Sequence, residues 1–346
     1  MMTYPASYAR MRGLKGRLLG KDQLEAFLQA SDAQAIISVL NHTVYGEQLR
    51  DSMSPSQIEH ALKQDLVASY IKILTFLRGK PAHFVKALLE GFELLNVKSV
   101  IRALVQESPH AKDALAPFIF SLGKHHTVPI KRILGAADLK SCVGLMRKTP
   151  FARSLEIGYH QYESEKRLFL FELVLDMGYY ERLWRALNDL SSMDKYNASE
   201  LMGLQYDMIN LIWMLRFKEY YKLPPEQMFQ YILPHGWKIN KDVFWEIAAE
   251  SDITGAIVAR RMNPYYRLLR SVTQVDDNHI LGVEVSLLRY LYNRSRKALL
   301  GFPLQAAPLV AFFVLKEMEV RDIITILAGK RLGLPQERIR SYLVTL

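Results

Sequence analysis

The chain has one cysteine, Cys142, in 346 residues. A disulfide framework within it is excluded, and so is a zinc cage built on cysteine thiolates. A lone thiol fits a reducing compartment. Long apolar runs are also lacking. P-L-V-A-F-F-V-L at 308–315 is far short of the ~20 residues that carry a helix across a bilayer. The opening M-M-T-Y-P-A-S-Y-A-R-M-R-G has no apolar core of secretory type. These absences lead to the expectation of a soluble or peripheral, intracellular protein. Strand signals are scarce, and the hairpin dipeptides Asn-Gly and Asp-Gly do not occur.

Acidic residues are in deficit. Lys and Arg number 45 against 35 Asp and Glu, for a net charge of +10. Residues 1–120, 121–235 and 236–346 carry +3, +2 and +5, so the excess is spread along the chain and not gathered in a tail. Such a balance admits nucleic acid, an anionic membrane surface or acidic proteins as partners. With 50% hydrophobic and 23% charged residues, the composition is that of a globular protein with a large interior. Length alone favours two or three domains.

What fills the chain is helical periodicity. Leu62, Leu66, Tyr70, Ile73 and Phe76 recur at helical spacing, as do Leu168, Phe171, Val174 and Leu175. Breakers are grouped at Gly79 with Pro81, Pro109, Gly135, Pro224-Pro225, Pro234 with Gly236, and Gly301 with Pro303. The segments between them fit helices of ordinary or rather long length. The expected fold class is all-α.

The segments also repeat. N-V-K-S-V-I-R-A-L at 96–104, D-M-I-N-L-I-W-M-L at 207–215 and E-V-R-D-I-I-T-I-L at 319–327 follow one pattern, at offsets of 111 and 112 residues. Each places two polar residues one helical turn apart: Asn96 and Ser99, Asp207 and Asn210, Glu319 and Asp322. Positions i and i+3 share a helix face. Each pair therefore forms a polar ridge beside an apolar stripe, suited to backbone donors of a neighbouring helix or to an arginine. Glu317 and Arg321 have the i,i+4 order that favours an ion pair. The match extends to Y-K-L-P-P-E-Q-M-F-Q-Y-I at 221–232 and L-G-L-P-Q-E-R-I-R-S-Y-L at 332–343, where Pro224 and Pro335 precede short terminal helices. A looser recurrence relates T-V-Y-G-E-Q-L at 43–49, T-P-F-A-R-S-L at 149–155 and N-P-Y-Y-R-L-L at 263–269. The reading is three copies of one helical unit, 1–120, 121–235 and 236–346, each long enough for its own core.

The same residues carry a family resemblance. L-K-E-M-E-V-R-D-I at 315–323 resembles the K-L-K-E-x-E-x-R-N-I signature of the C subunit of V-type and A-type ATP synthases, known as the d subunit in eukaryotes. Y-A-R-M-R-G-L-K-G-R-L-L at 8–19 and T-V-Y-G at 43–46 resemble that family's opening and first loop. Asp322 departs from it, standing where the family usually has Asn. The resemblance implies three similar helical domains about a pseudo-threefold axis, forming a funnel. It implies a non-catalytic central-stalk rotor component, peripheral on the cytoplasmic side. This component would act as a socket between the central shaft and the membrane ring of proteolipid subunits, for torque transmission and ion transport. No cofactor, metal or small-molecule substrate is expected. Asn96, Ser99, Asp207, Asn210, Glu319, Arg321 and Asp322 are then structural residues of the repeat.

Rival sites are weak. G-R-L-L-G-K-D at 16–22 has one residue too few between its glycines for a phosphate loop and an Asp at the magnesium position. It is expected to be a turn. His125 and His126 are adjacent and the other histidines are scattered, which is not ligand spacing. Cys142 sits in an apolar helical pattern and is expected in the core. R-Y-L-Y-N-R-S-R-K at 289–297 is the strongest alternative. Arg289, Arg294, Arg296 and Lys297 are candidate partner contacts, for an acidic protein or, in a nucleic-acid-binding scaffold, for phosphate with tyrosines stacking on bases. A general helical adaptor would account for the repeats equally well, though not for the Lys-Glu-x-Glu-x-Arg signature.

Overall fold

The computed structural model describes residues 4–50, 53–106, 111–270, 272 and 279–346. Pro109, one of the expected breakers, lies outside the described residues. The described residues contain helices, turns and loops, and no strand. In chain order the helices are α1 (Pro5–Lys15), α2 (Lys21–Gln29), α3 (Ala33–Leu40), α4 (Pro55–Leu74), α5 (Gly79–Val105), α6 (Ala111–Leu115), α7 (Ile130–Leu134), α8 (Leu139–Leu145), α9 (Ala152–Glu165), α10 (Leu168–Asn188), α11 (Ser192–Glu219), α12 (Pro225–Phe229), α13 (Lys241–Ala248), α14 (Ile253–Ala259), α15 (Tyr265–Arg270), α16 (His279–Leu299), α17 (Ala306–Arg331) and α18 (Gln336–Ser341). They pack into two compact units. The first holds Met1–Leu66 with Ser191–Leu346, and the second Val67–Leu190.

Local chemistry repeats along the chain. Asp32, Asp138 and Asp252 are N-caps of α3, α8 and α14, accepting the N–H of Ala35, Ser141 and Gly255, which satisfies a donor the helix cannot. Thirteen residues after each cap comes an aromatic residue that is fully buried: Tyr45, Phe151 and Tyr265. Two of the turns between them are alike. Thr43 donates to the Leu40 carbonyl at 2.7 Å and accepts the Tyr45 N–H at 3.3 Å, and Thr149 makes the same bonds to Met146 and Phe151 at the same distances. Pro224 and Pro335 are N-caps of α12 and α18, each with a glutamate in the first turn. Of the stretch 16–22, residues 16–20 form the turn between α1 and α2, and Lys21 and Asp22 open α2.

Three long helices, α5, α11 and α17, carry the polar ridges. In the first unit, α17 is buried on every side over Ala306–Lys316, as its unbroken apolar run requires. Its second half packs Val320, Ile323, Ile326 and Leu327 against Phe27 and Leu28 of α2, Ile36, Ile37 and Leu40 of α3, and Ile339 of α18. In the second unit, α10 packs on α5 and α9. There Lys98 holds both oxygens of Asp176 at 2.8 Å, and Arg102 pairs with both oxygens of Glu172 at 2.6 Å. Cys142 is buried, as expected, and burial pushes its thiol up to about 12.

Candidate functional site

The polar ridges are clamps that hold neighbouring loops. In the second unit, Asn96 bridges one residue of the loop after α6. Its amide donates to the Phe120 carbonyl at 2.9 Å and its oxygen accepts the Phe120 N–H at 2.8 Å. One turn earlier, the fully buried Glu93 accepts the N–H of Thr127 at 2.9 Å, the N–H of Val128 at 3.0 Å and the Thr127 hydroxyl at 2.6 Å. His126 accepts the Leu122 N–H through Nε2 and so turns a protonated Nδ1 to Glu93, at 3.0 Å.

The first unit holds two further clamps. Asn210 bridges Leu233 with two bonds of 2.9 Å, as Asn96 bridges Phe120. Asp207 accepts the N–H of Lys238 at 2.7 Å, that of Ile239 at 2.9 Å and the Tyr265 hydroxyl at 2.6 Å. Gly236 permits this approach, because a Cβ there would overlap the Asp207 carboxylate and the Ile239 carbonyl. On α17, Asp322 accepts the Val344 N–H at 3.0 Å and both the N–H and the hydroxyl of Thr345 at 2.7 Å. Glu319 accepts the Leu19 N–H at 2.6 Å and the hydroxyl of Tyr45. Buried Lys316 sits over the Tyr45 ring, 4.1 Å from its centre. Its ammonium donates to the Tyr45 hydroxyl at 2.6 Å and pairs with Asp65 at 3.1 Å.

These bonds set a register different from that of the sequence comparison. Asn96 plays the part of Asn210 and Asp322, and the partner of Asp207 and Glu319 is Glu93. The offsets from Glu93 to Asp207 and on to Glu319 are 114 and 112. Ser99 is half-buried and takes no part in the clamp. In sequence the clamp is an acid followed three positions later by Asn or Asp: E-L-L-N, D-M-I-N and E-V-R-D. A second signal is the spacing to the buried aromatic. Phe151 and Tyr265 each lie 58 residues after Glu93 and Asp207. Phe151 lacks a hydroxyl, and the Thr127 hydroxyl serves Glu93 instead.

Asp322 does by acceptance what the two asparagines do by exchange. A carboxylate has no hydrogen to donate to a carbonyl, so it gathers only donors. Burial pushes Glu319, Asp207 and Asp322 above their ordinary values. For Glu319, Lys316, the Tyr45 hydroxyl and the Leu19 N–H oppose that rise; for Asp207, the Tyr265 hydroxyl and two backbone N–H groups do; for Asp322, the Thr345 hydroxyl and the N–H groups of Val344 and Thr345 do. Arg321 turns to the Tyr342 carbonyl at 3.0 Å and lies 3.6 Å from Asp322. The expected i,i+4 ion pair with Glu317 does not form within the described residues; the guanidinium turns to the Tyr342 carbonyl at the end of α18 instead.

The basic segment divides in two. Arg289 donates to the carbonyls of Leu343 at 2.8 Å and Ser341 at 3.0 Å. Arg294 is paired with Glu200. Arg296 and Lys297 are exposed and line a cleft of about 870 Å³ within the first unit. Among the described residues, no cluster of His, Cys, Asp or Glu has the grouping of a metal site, and no helix is long and apolar enough to cross a membrane. His110 lies outside them.

A family model described as ATP synthase (C/AC39) subunit matches residues 7–342. The C subunit of the A-type ATP synthase of Pyrococcus abyssi is 26% identical over 342 residues, covering 97% of this chain and 90% of the relative. That of Methanocaldococcus jannaschii is 23% identical, covering 98% and 85%, and that of Haloferax volcanii 25%, covering 95% and 90%. With the family model matched over residues 7–342, the chain belongs to the C/AC39 family of A-type and V-type ATP synthases, non-catalytic subunits of rotary complexes.

Proposed function

We propose that this chain is the central-stalk socket of its rotary complex, joining the lower end of the shaft to the membrane ring of proteolipid subunits. In this reading it lies peripherally on the cytoplasmic side and transmits torque. Its three repeats, 1–120, 121–235 and 236–346, stand about a pseudo-threefold axis as a funnel. The observation that carries the reading is the order of the clamps. Glu93 and Asp207 each hold residues roughly 30 positions further along, whereas Glu319, near the end of the chain, holds Leu19 and Tyr45 near its beginning. A repeat whose last copy clasps its first suits a closed ring of three. Buried, fully bonded clamps also suit a part that must pass on force without deforming. Asn96, Asp207, Asn210, Glu319, Arg321 and Asp322 serve that rigidity.

Reconstitution with and without this chain tests the reading. The soluble catalytic head should hydrolyse ATP in both cases, and ions should cross the membrane only when the chain is present. Transport that persists without it refutes the coupling role. Loss of hydrolysis by the head alone assigns the chain a catalytic or regulatory part instead.

A further inference from the structure

The cleft within the first unit carries two chemistries that no clamp uses. Its floor is apolar: Leu18, Leu24, Leu299 and Leu315, with the rings of Tyr290 and Tyr292. Its rim is cationic: Lys15 and Lys21 on one side, Arg296 and Lys297 of α16 on the other. None of these four cations makes an ion pair among the described residues. The one carboxylate in the wall, Glu319, is turned inward and spent on Leu19, Tyr45 and Lys316. Among the described residues, then, no ion pair neutralises the rim. Leu300 also lines the cleft and is 78% exposed, and Phe302, two residues on at the turn before α17, is 64% exposed.

We propose that this cleft binds an anionic phospholipid of a membrane surface, the phosphate on the four cations and the apolar root of the lipid on the leucine floor. A volume of about 870 Å³ is that of a ligand site. Exposed apolar side chains beside a cluster of Lys and Arg form the combination that settles at a lipid interface. A free phosphate would use the rim and leave the leucines idle. An acidic protein segment would neutralise the rim but leave Leu300 and Phe302 at the tip of a turn in water. A lipid surface takes both. The assignment stands on the isolated chain and does not depend on its place in a rotor.

The test is co-sedimentation of the full chain with vesicles of phosphatidylcholine containing phosphatidylglycerol, against phosphatidylcholine alone. Binding is expected only to the anionic vesicles. Each cation removed should weaken it about fivefold, and Arg296→Gln with Lys297→Gln about 25-fold. Leu300→Ser with Phe302→Ser should also weaken it, and since these side chains are exposed the melting temperature should stay where it is. Wild-type protein that ignores anionic vesicles, or charge variants that bind like wild type, overturn the proposal. Inorganic phosphate that displaces the vesicles, with the Leu300/Phe302 variant binding as wild type, assigns the rim to a soluble anion and overturns the lipid. Polyglutamate that binds through Arg296 and Lys297 while vesicles do not assigns the cleft to an acidic protein and overturns it equally.

Discussion

Replacing Tyr45 by phenylalanine removes one oxygen and leaves the ring in place. That oxygen serves two buried charges, donating to Glu319 and accepting from Lys316 at 2.6 Å. Without it, Glu319 Oε1 keeps only a long contact to Lys316 at 3.4 Å, and Lys316 keeps Asp65 at 3.1 Å. A hydrogen bond to a charged group contributes about 1.5–3 kcal/mol, and a buried charge left short of partners costs at the upper end. The ring contact with Lys316 persists, so no cavity term adds. Tyr45→Phe should therefore cost about 3 kcal/mol. Tyr265→Phe is the internal comparison. Its hydroxyl serves Asp207 alone, and that carboxylate keeps the N–H groups of Lys238 and Ile239, so its loss should cost about 1.5 kcal/mol. In a unit of some two hundred residues, each kcal/mol lowers Tm by about 2–4 °C. Urea unfolding followed by circular dichroism reads both variants. Equal costs, or a Tyr45→Phe change within about 0.5 kcal/mol of wild type, would refute the clamp account, since that is the scatter of an ordinary surface substitution.

Other expectations follow from the same contacts. Because burial raises the Glu319 carboxyl above its ordinary 4.5, the folded state holds that proton more tightly than the unfolded chain. Its contribution to stability then falls as pH rises from about 4.5 through the raised value, so Glu319→Gln should flatten the decline of stability with pH in that window; a variant whose slope matches wild type would reject this. Asp322→Ala strands the buried N–H groups of Val344 and Thr345 and should cost about 2–4 kcal/mol, more than Asp322→Asn, which keeps one acceptor; denaturant midpoints that reverse this order contradict the assignment. Gly236→Ala should lose about 1–3 kcal/mol by forcing the Asp207 clamp open, whereas Gly13→Ala, in open space on α1, should gain about 0.5–1 kcal/mol; thermal melts separate the two.

Much of this protein was legible in one dimension. The helices follow from apolar spacing and from Pro224 and Pro335 at helix starts. These signals act within a few residues, so no distant partner is needed to read them. The recurrence of a polar ridge on three long helices was legible for the same reason. The turns at Thr43 and Thr149, alike only loosely in sequence, make the same two bonds.

Tertiary structure alone decided what the polar residues do. A pair of polar positions one turn apart fits two registers, and Asn96 could head its pair or close it. Only the bonds to Phe120, and those of Glu93 to Thr127 and Val128, made it the closing member. Arg289 and Arg294 read as free cations beside Arg296 and Lys297. Carbonyls of the chain's last residues, and Glu200, consume the first two and leave the others at the cleft. Lys316 is covered by Tyr45, which stands 271 residues away in sequence. Helical periodicity reports which face of a helix is buried. A buried polar group must instead find its hydrogen-bond partner wherever the fold brings one, and that partner is set by the folded chain and not by any neighbour in sequence.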